Sequence, residues 1–331
     1  MKETLNYLFE HKILSREKAK EILIQIGEGQ YSEIEIASFL TVFLMRKITS
    51  QELAGFRDAL LDLCIPVDLS DYNTIDVCGT GGDEKNTLNI STLTAFTLAG
   101  AGIKVVKHGN YGVSSACGSS NIFEHYGYKF SNNENKLKKE IDEANICYLH
   151  APLFHPAMKS VGPVRKSLKV KTFFNILGPM VNPTRPNNQL IGVFNEEVME
   201  LYNDVYKDTD VNYTIVYSLE GYDEISLTGD FRYISNNADE ILSPEAVQLK
   251  KVSHDDLFGG NSVEEAAKIF NDILIGNGTE AQNNVVIINA AMGLKCCYGN
   301  KSIKECINDA KDSLLSKSAY NALNKLIGLQ S

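Results

Sequence analysis

The chain has 331 residues, 44% of them hydrophobic and 22% charged, and a formal net charge of -10 at pH 7. This composition is ordinary for a globular protein and leaves room for one large domain and a smaller one. The acidic balance argues against general nucleic-acid binding, because phosphate backbones attract basic surfaces.

The sequence pattern of residues 1–66 predicts helices. Apolar residues recur there at intervals of three or four, and Ser15 and Thr49 begin two of the helices as capping residues. Pro66 and the polar residues after it indicate a boundary. We therefore expect a small helical domain over residues 1–66 and a second domain over residues 67–331.

Beyond residue 66, short apolar runs alternate with helix-length segments such as Glu134–Glu143 and Val263–Ile275. The predicted strands are Thr74–Val77, Lys104–Lys107, Cys147–Leu149, Tyr213–Tyr217 and Val285–Asn289. This alternation predicts an α/β domain with a mostly parallel sheet flanked by helices. Ligands of such sheets bind beyond the carboxyl ends of the strands, so the loops that follow the strands are the first place to look for a site.

The first predicted strand runs into Cys78-Gly79-Thr80-Gly81-Gly82-Asp83, and a helix-like segment begins near Asn89-Ile90-Ser91-Thr92. Glycines let backbone N–H groups approach an anion closely, and a helix N-terminus adds partial positive charge. Asp83 would repel a bare phosphate, so we expect a metal ion or a ribose hydroxyl in the ligand. An ordinary strand-to-helix turn is the alternative interpretation, which the density of small residues disfavours.

A long segment rich in glycine and serine, residues 107–121, follows the second predicted strand. It opens with Lys107-His108-Gly109-Asn110, in which Lys107 offers a point charge to a phosphate. The length of the segment and its lack of apolar anchors predict a mobile loop that closes over a ligand. A solvated connector is the alternative.

Two further clusters carry charged side chains. Arg165 lies in a setting rich in glycine and proline, and its planar guanidinium suits a carboxylate. Asp223 and Glu224 are adjacent carboxylates after the strand Tyr213–Tyr217, and Mg²⁺ binds to one or two carboxylates when water and substrate phosphates supply its other ligands. Each signal alone is weak, but together they describe a divalent cation, an anion cradle and an arginine.

The seven cysteines are odd in number and include no C-x-x-C pair. This pattern disfavours a zinc site or a disulfide framework and favours reduced thiols, so we expect a cytoplasmic protein. The first residues lack the apolar run of a signal peptide, and no stretch is long and apolar enough to span a membrane. We expect neither a membrane nor a nucleic acid as partner.

In their order and spacing, these motifs resemble those of the anthranilate phosphoribosyltransferases over nearly the whole chain. The matching runs are Gly79-Thr80-Gly81-Gly82-Asp83, Asn89-Ile90-Ser91-Thr92, Lys107-His108-Gly109-Asn110, His155-Pro156-Ala157-Met158, Pro163-Val164-Arg165, Phe174-Asn175-Ile176-Leu177-Gly178-Pro179 and Asp223-Glu224. The resemblance implies transfer of a phosphoribosyl group from 5-phosphoribosyl 1-diphosphate to the amine of anthranilate, in tryptophan biosynthesis. It also implies a helical domain that takes in the segment 164–180, a large α/β domain, and a homodimer formed through the helical domain.

The resemblance further implies roles for single residues. The diphosphate cradle would consist of Gly79, Gly82, Asp83, Thr87, Asn89, Ile90, Ser91 and Thr92. The loop over the donor would include Lys107, His108, Gly109, Asn110, Ser114, Ser115 and Ser119. Ser91, Asp223 and Glu224 would be associated with Mg²⁺, and Asn110 and Arg165 would contact anthranilate. No general base is expected, because the aromatic amine is neutral at pH 7 and orientation and charge stabilisation would carry the reaction.

Three positions depart from the family's usual pattern. Tyr111 stands where arginine is common, which removes one positive charge from the loop. Asn121 stands where aspartate is commoner, and both residues cap helices well. Lys169-Val170-Lys171 replaces the usual Gly-x-Arg, so the local shape behind Arg165 is expected to differ.

Two other functions stay open from the sequence alone. A nucleoside phosphorylase of the same superfamily would share a glycine-rich phosphate loop, although its Lys-x-Ser-Thr-Gly-Gly type of loop is replaced here by Cys78-Gly79-Thr80-Gly81-Gly82. A non-catalytic relative that binds nucleotides or nucleic acid is disfavoured by the acidic balance and by the presence of Lys107, Arg165, Asp223 and Glu224.

Overall fold

The computed structural model describes residues 1–112 and 116–330. The helices are α1 Lys2–Phe9, α2 Arg16–Gly27, α3 Glu33–Met45, α4 Ser50–Leu63, α5 Ile90–Gly100, α6 Ser119–His125, α7 Glu134–Ala144, α8 Ala151–Phe154, α9 Met158–Leu168, α10 Glu196–Tyr206, α11 Val263–Leu274, α12 Glu280–Tyr298, α13 Ile303–Leu315 and α14 Ser318–Gly328. The strands are β1 Thr74–Gly79, β2 Lys104–Gly109, β3 Ile146–His150, β4 Asn188–Gly192, β5 Asn212–Ser218, β6 Phe231–Ser235 and β7 Ala238–Leu242.

Helices α1–α4 form a bundle whose core is rich in phenylalanine. The capping boxes at Ser32 and Thr49 begin α3 and α4 by satisfying N–H groups that have no partner inside the helix. Phe56 of α4 stacks on Phe173, with ring centroids 4.4 Å apart, although the two residues are far apart in sequence. The segment around α9 therefore returns to the bundle and shares its core, which brings Arg165 close to the boundary between bundle and sheet.

The seven strands form one sheet in the order β3-β2-β1-β4-β5-β6-β7. Neighbouring strands from β3 to β5 are parallel, and β6 and β7 are antiparallel additions at one side. One face packs on α5 and on the C-terminal helices, and the other packs on α10 and the bundle. The strand order reverses between β1 and β4, and such a reversal leaves a crevice beyond the carboxyl ends of the two strands.

The predicted architecture, an N-terminal helical bundle followed by an α/β domain, is confirmed. One predicted strand is wrong. Val285–Asn289 lies inside α12, a helix of 19 residues, and is fully buried there. A short apolar run fits a buried helix as well as a strand, so its pattern alone does not decide between them. The prediction also missed β6, β7 and β4, and in β4 Asn188 and Gln189 are buried polar residues.

Strand β7 forms one of the two edges of the sheet. It carries Asp239 and Glu240, and both side chains are exposed. Arg232 of the neighbouring strand β6 donates to the two carboxylate oxygens of Asp239 at 2.8 and 2.7 Å. This edge is therefore short and charged. Within the residues that the structure describes, no helix has the length and apolar character needed to cross a membrane.

Candidate functional site

Asp223 enters the crevice between β1 and β4 from the turn that follows β5. Its Oδ2 accepts a hydrogen bond from the backbone N–H of Gly81 at 2.6 Å. A Cβ at Gly79 would overlap the Asp223 carboxylate, and a Cβ at Gly192 would overlap its backbone carbonyl. The glycines that end these two strands therefore provide the space in which this carboxylate reaches the glycine loop.

Glu224 lies beside Asp223 and contacts the start of α5. Its Oε1 accepts a hydrogen bond from the N–H of Ser91 at 2.9 Å. Asn89 is the N-cap residue of this helix, and its Nδ2 donates to the carbonyl of Cys117 at 3.1 Å. The three predicted metal-associated residues, Ser91, Asp223 and Glu224, are thus brought together from two distant segments of the chain.

The carboxylates of this site resist ionisation. Burial and the neighbouring Asp83 raise the pKa of Asp223 to about 7. Burial and Asp223 raise the pKa of Glu224 well above its usual value. Acids buried together destabilise each other's charged forms, and a divalent cation between them would relieve that repulsion.

These residues fit Mg²⁺ by their chemistry. Mg²⁺ is bound in proteins through one or two carboxylates and takes water and substrate phosphate oxygens as its other ligands. No group of three or more histidine, cysteine, aspartate and glutamate side chains arranged for a metal occurs among the described residues. A cation at Asp223 and Glu224 would therefore depend on ligands from a substrate.

The glycine loop supplies the anion-binding groups. Gly81 and Gly82 have positive φ angles of 66° and 79°, a conformation that glycine adopts without strain. The backbone N–H groups of Gly82 and Asp83 donate to no other group within residues 1–112 and 116–330. Successive free N–H groups in such a turn form a concave anion site.

Lys107 provides a positive charge beneath this loop. Its side chain is 1% exposed, and its Nζ donates to the carbonyl of Val77 at 2.7 Å and to Ser91 Oγ at 3.3 Å. Burial lowers its pKa. The ammonium therefore points from β2 across β1 to the start of α5, towards the place where the free amides and the carboxylates converge.

His108 and Gly109 belong to β2 rather than to the loop beyond it. The N–H of His108 donates to Asp76 Oδ1 at 3.0 Å, and its ring lies 5.2 Å from that of His155. Burial lowers the pKa of His108 to about 3, so its ring is neutral at physiological pH and adds no charge for a phosphate. Asn110 is exposed after the strand, and its Oδ1 accepts from the N–H of Tyr111.

The remaining predicted donor residues differ in what they offer a ligand. Thr92 is buried and its hydroxyl pairs with that of Ser119 at 3.0 Å. Thr87 forms an isolated backbone bridge with Phe258, and Ile90 packs into the core. Ser114 and Ser115 lie outside the described residues.

The side chain of Asn121 bridges two parts of the loop, before and after residues 113–115. Its Oδ1 accepts hydrogen bonds from the N–H of Gly112 at 3.2 Å and of Gly118 at 2.9 Å. Tyr111 is exposed, and the centres of its ring and of the His150 ring lie 5.2 Å apart in an edge-to-face arrangement. Tyr111 and Asn121, the two residues of this loop that differ from the family pattern, therefore each make a defined contact.

Arg165 projects from α9 at the other side of the site. Its Nη2 donates to Asn175 Oδ1 at 3.4 Å, and the guanidinium lies 5.4 Å from the ring centre of Phe174. Burial lowers its pKa, and no acidic side chain among the described residues forms an ion pair with it. A partly buried guanidinium in this state binds strongly to a ligand carboxylate.

One contact at the site was missed by the sequence analysis. Lys171, which follows α9, donates from Nζ to the carbonyl of Gly82 at 2.7 Å and to Glu84 Oε1 at 2.8 Å. The only signal in the sequence was that a lysine replaces an arginine in the usual Gly-x-Arg. Lys169 ends α9 with a φ of 54°, the left-handed conformation that glycine prefers, so the turn behind Arg165 forms without the glycine.

Comparison with known proteins agrees with this arrangement. Residues 71–320 match the family model "Glycosyl transferase family, a/b domain" and residues 2–64 match "Glycosyl transferase family, helical bundle domain". The anthranilate phosphoribosyltransferase of Flavobacterium johnsoniae is 57% identical over 330 residues, with 98% of both chains covered. That of Bacteroides thetaiotaomicron is 50% identical, with 99% of both chains covered.

Solved structures of the same name share the fold. The structure from Thermus thermophilus superposes with a TM-score of 0.92 at 30% identity and covers 98% of both chains. The structure from Saccharomyces cerevisiae in complex with PRPP and Mg has a TM-score of 0.86 at 26% identity and covers 96% of this chain and 93% of its own. A further structure from the same yeast is in complex with 4-fluoroanthranilate.

Proposed function

The chain belongs to the anthranilate phosphoribosyltransferase family, and from that premise we propose that it transfers the phosphoribosyl group of 5-phosphoribosyl 1-diphosphate to the amine of anthranilate. The products are N-(5-phosphoribosyl)anthranilate and diphosphate, and the reaction belongs to tryptophan biosynthesis. The observation that carries the proposal is the crevice between β1 and β4, where free amides, a buried lysine and the adjacent carboxylates of Asp223 and Glu224 converge.

At the donor end, the chain stabilises the charge of the leaving diphosphate. The free N–H groups of Gly82 and Asp83, the first turn of α5 and the ammonium of Lys107 are all fixed before the substrate arrives, so they need little reorganisation during the reaction. Asp223 and Glu224 hold Mg²⁺, which when bound neutralises charge on the phosphates. A single well-aimed donor of this kind typically contributes about 3 kcal/mol to lowering the barrier.

At the acceptor end, Arg165 binds the carboxylate of anthranilate. Its fork geometry fixes the plane of the carboxylate and thereby directs the ortho amine towards the sugar carbon C1′. The amine is neutral and attacks through its lone pair while the bond from C1′ to the diphosphate oxygen breaks. The nitrogen then loses one of its two protons to solvent or to the departing diphosphate. Orientation is therefore the main contribution of this end of the site.

We also propose a homodimer formed through the helical domain, with that domain covering residues 1–66 and the α/β domain residues 67–331. Support for the dimer comes from large apolar side chains left in solvent on the bundle. Ile34 and Met45 of α3 are 79% and 83% exposed, and Phe9 of α1 is 61% exposed. For the location we propose the cytoplasm, because the cysteine pattern is typical of a reducing compartment.

The direct test follows the fluorescence of anthranilate. The purified chain should consume anthranilate only when both 5-phosphoribosyl 1-diphosphate and Mg²⁺ are present. Release of a free base from thymidine or uridine with phosphate, without consumption of anthranilate, would instead identify a nucleoside phosphorylase.

A further inference from the structure

We propose that Lys171 is a positioning residue that ties the anthranilate side of the site to the donor loop, so that each substrate strengthens the binding of the other. This inference rests on the proposed function. It starts from a contact between two segments that are 89 residues apart in the sequence. Lys171 follows α9, whose apolar residues pack in the core of the bundle, whereas Gly82 belongs to the glycine loop beyond β1.

The bond from Lys171 to Gly82 sets the orientation of a peptide group in the donor loop. In a trans peptide the C=O and N–H groups point in opposite directions. Because Lys171 Nζ holds the Gly82 carbonyl at 2.7 Å, the N–H of Asp83 is turned away from Lys171. That N–H is one of the two in the loop that are free for an anion.

The same residue is linked to Arg165 through Asn175. Asn175 Oδ1 accepts from Arg165 Nη2 at 3.4 Å and from the backbone N–H of Thr172 at 3.0 Å, and Thr172 directly follows Lys171. A continuous series of contacts therefore runs from the guanidinium to Gly82. A carboxylate that draws Arg165 into a new position would change the hydrogen bond to Asn175 and, through Thr172, the position of Lys171.

The ion pair between Lys171 and Glu84 does not account for this link. Both side chains are exposed, at 54% and 72%, and exposed pairs contribute little because solvent screens them. The hydrogen bond to the Gly82 carbonyl, by contrast, reaches the backbone of the donor loop and is the contact to which we assign the coupling.

Coupling between two binding sites is reciprocal and can be measured without turnover. We would titrate anthranilate into the full chain by calorimetry, once in buffer and once with saturating Mg²⁺ and diphosphate, which occupies the donor loop but cannot react with anthranilate. In the unaltered chain, diphosphate should tighten anthranilate binding by about fivefold or more. In Lys171→Met the two affinities should become equal.

Three companion variants separate positioning from general effects. Lys171→Arg keeps a donor for the Gly82 carbonyl and should restore the coupling. Glu84→Gln removes only the ion pair and should leave it intact. Lys166→Met, which changes an exposed lysine of α9, serves as the matched control.

The outcomes distinguish this inference from the proposed function. If Lys171→Met folds, consumes anthranilate and still shows the coupling of the unaltered chain, Lys171 has no positioning role. Equal loss of coupling in Lys166→Met would contradict the assignment in the same way. If the unaltered chain itself neither consumes anthranilate nor binds it, the proposed function is wrong and the inference falls with it.

Discussion

Two residues at this site have ionisable side chains with no oppositely charged partner in an ion pair among the described residues. Arg165 is partly buried beside Asn175 and Phe174, and no carboxylate of residues 1–112 and 116–330 forms an ion pair with it. Asp223 is buried beside another acid, which raises its pKa. Each arrangement lowers the stability of the ligand-free protein. A ligand of the opposite charge removes that cost when it binds, so the arrangement strengthens binding.

Arg165→Ala should raise the KM for anthranilate by about tenfold to a hundredfold, because a hydrogen bond to a charged group contributes about 1.5–3 kcal/mol. The KM for 5-phosphoribosyl 1-diphosphate should stay nearly unchanged. Steady-state kinetics with each substrate varied in turn measures both. Lys166→Ala on the same helix is the control, and equal increases in both KM values would remove Arg165 from the acceptor site.

Asp223→Asn combined with Glu224→Gln should weaken the dependence of the rate on Mg²⁺. In the unaltered protein the affinity for Mg²⁺ should fall as the pH is lowered through about 7, since below that pH a cation must displace the proton of Asp223. Magnesium titrations between pH 6 and 8 test this. An unchanged titration curve in the double variant would exclude these carboxylates as ligands.

At the scale of elements, the site depends on how closely the turn after β5 approaches the ends of β1 and β4. Gly192→Ala places a methyl group on the Asp223 carbonyl and should lower the free energy of unfolding by about 1–3 kcal/mol. Gly162→Ala in α9 is the control, since nothing lies within 4 Å of the added carbon. Urea unfolding measures the free energy of unfolding of both variants. Equal values would show that the backbone of Asp223 does not approach Gly192 closely enough to exclude a methyl group.

The end of α9 offers a second test at this scale. Lys169 adopts φ 54°, which costs an L-residue about 1–2 kcal/mol, so Lys169→Gly should stabilise the protein by about 1 kcal/mol. Lys166→Gly inside the helix should destabilise it by about the same amount. Thermal unfolding of the pair checks both signs, and a loss of stability in Lys169→Gly would contradict the cap.

Elements with a strong local pattern could be predicted from the sequence, and those defined by distant contacts could not. The capping residues Ser15 and Thr49 and the glycine run after β1 act locally, so their pattern is sufficient. β4 was not predicted, because its polar residues find their hydrogen-bond partners only in the folded sheet. Asn188 Nδ2, for example, donates to the carbonyl of Thr74 at 2.9 Å. The contact of Lys171 with Gly82 joins residues 89 positions apart, and no local pattern predicts such a pair.

At the scale of the whole molecule, the proposed dimer is the property that remains to be measured. Ile34→Lys combined with Met45→Glu places charges on one face of α3 and should convert a dimer to monomers, because burying unpaired charges is costly. Light scattering after size exclusion gives the mass, and Lys18→Glu on α2 serves as the control. A monomeric unaltered chain, or a dimer that survives both substitutions, would rule out this interface.

The charged strand β7 disfavours association of two copies of this protein through the edges of their sheets. An unprotected outer strand invites backbone pairing with a neighbour and growth into aggregates, and acidic side chains at such a margin repel an identical strand. In a parallel, in-register pairing of two copies, Asp239 would lie beside Asp239 and Glu240 beside Glu240. Lateral polymerisation through the sheet is thereby discouraged, even where the protein is concentrated.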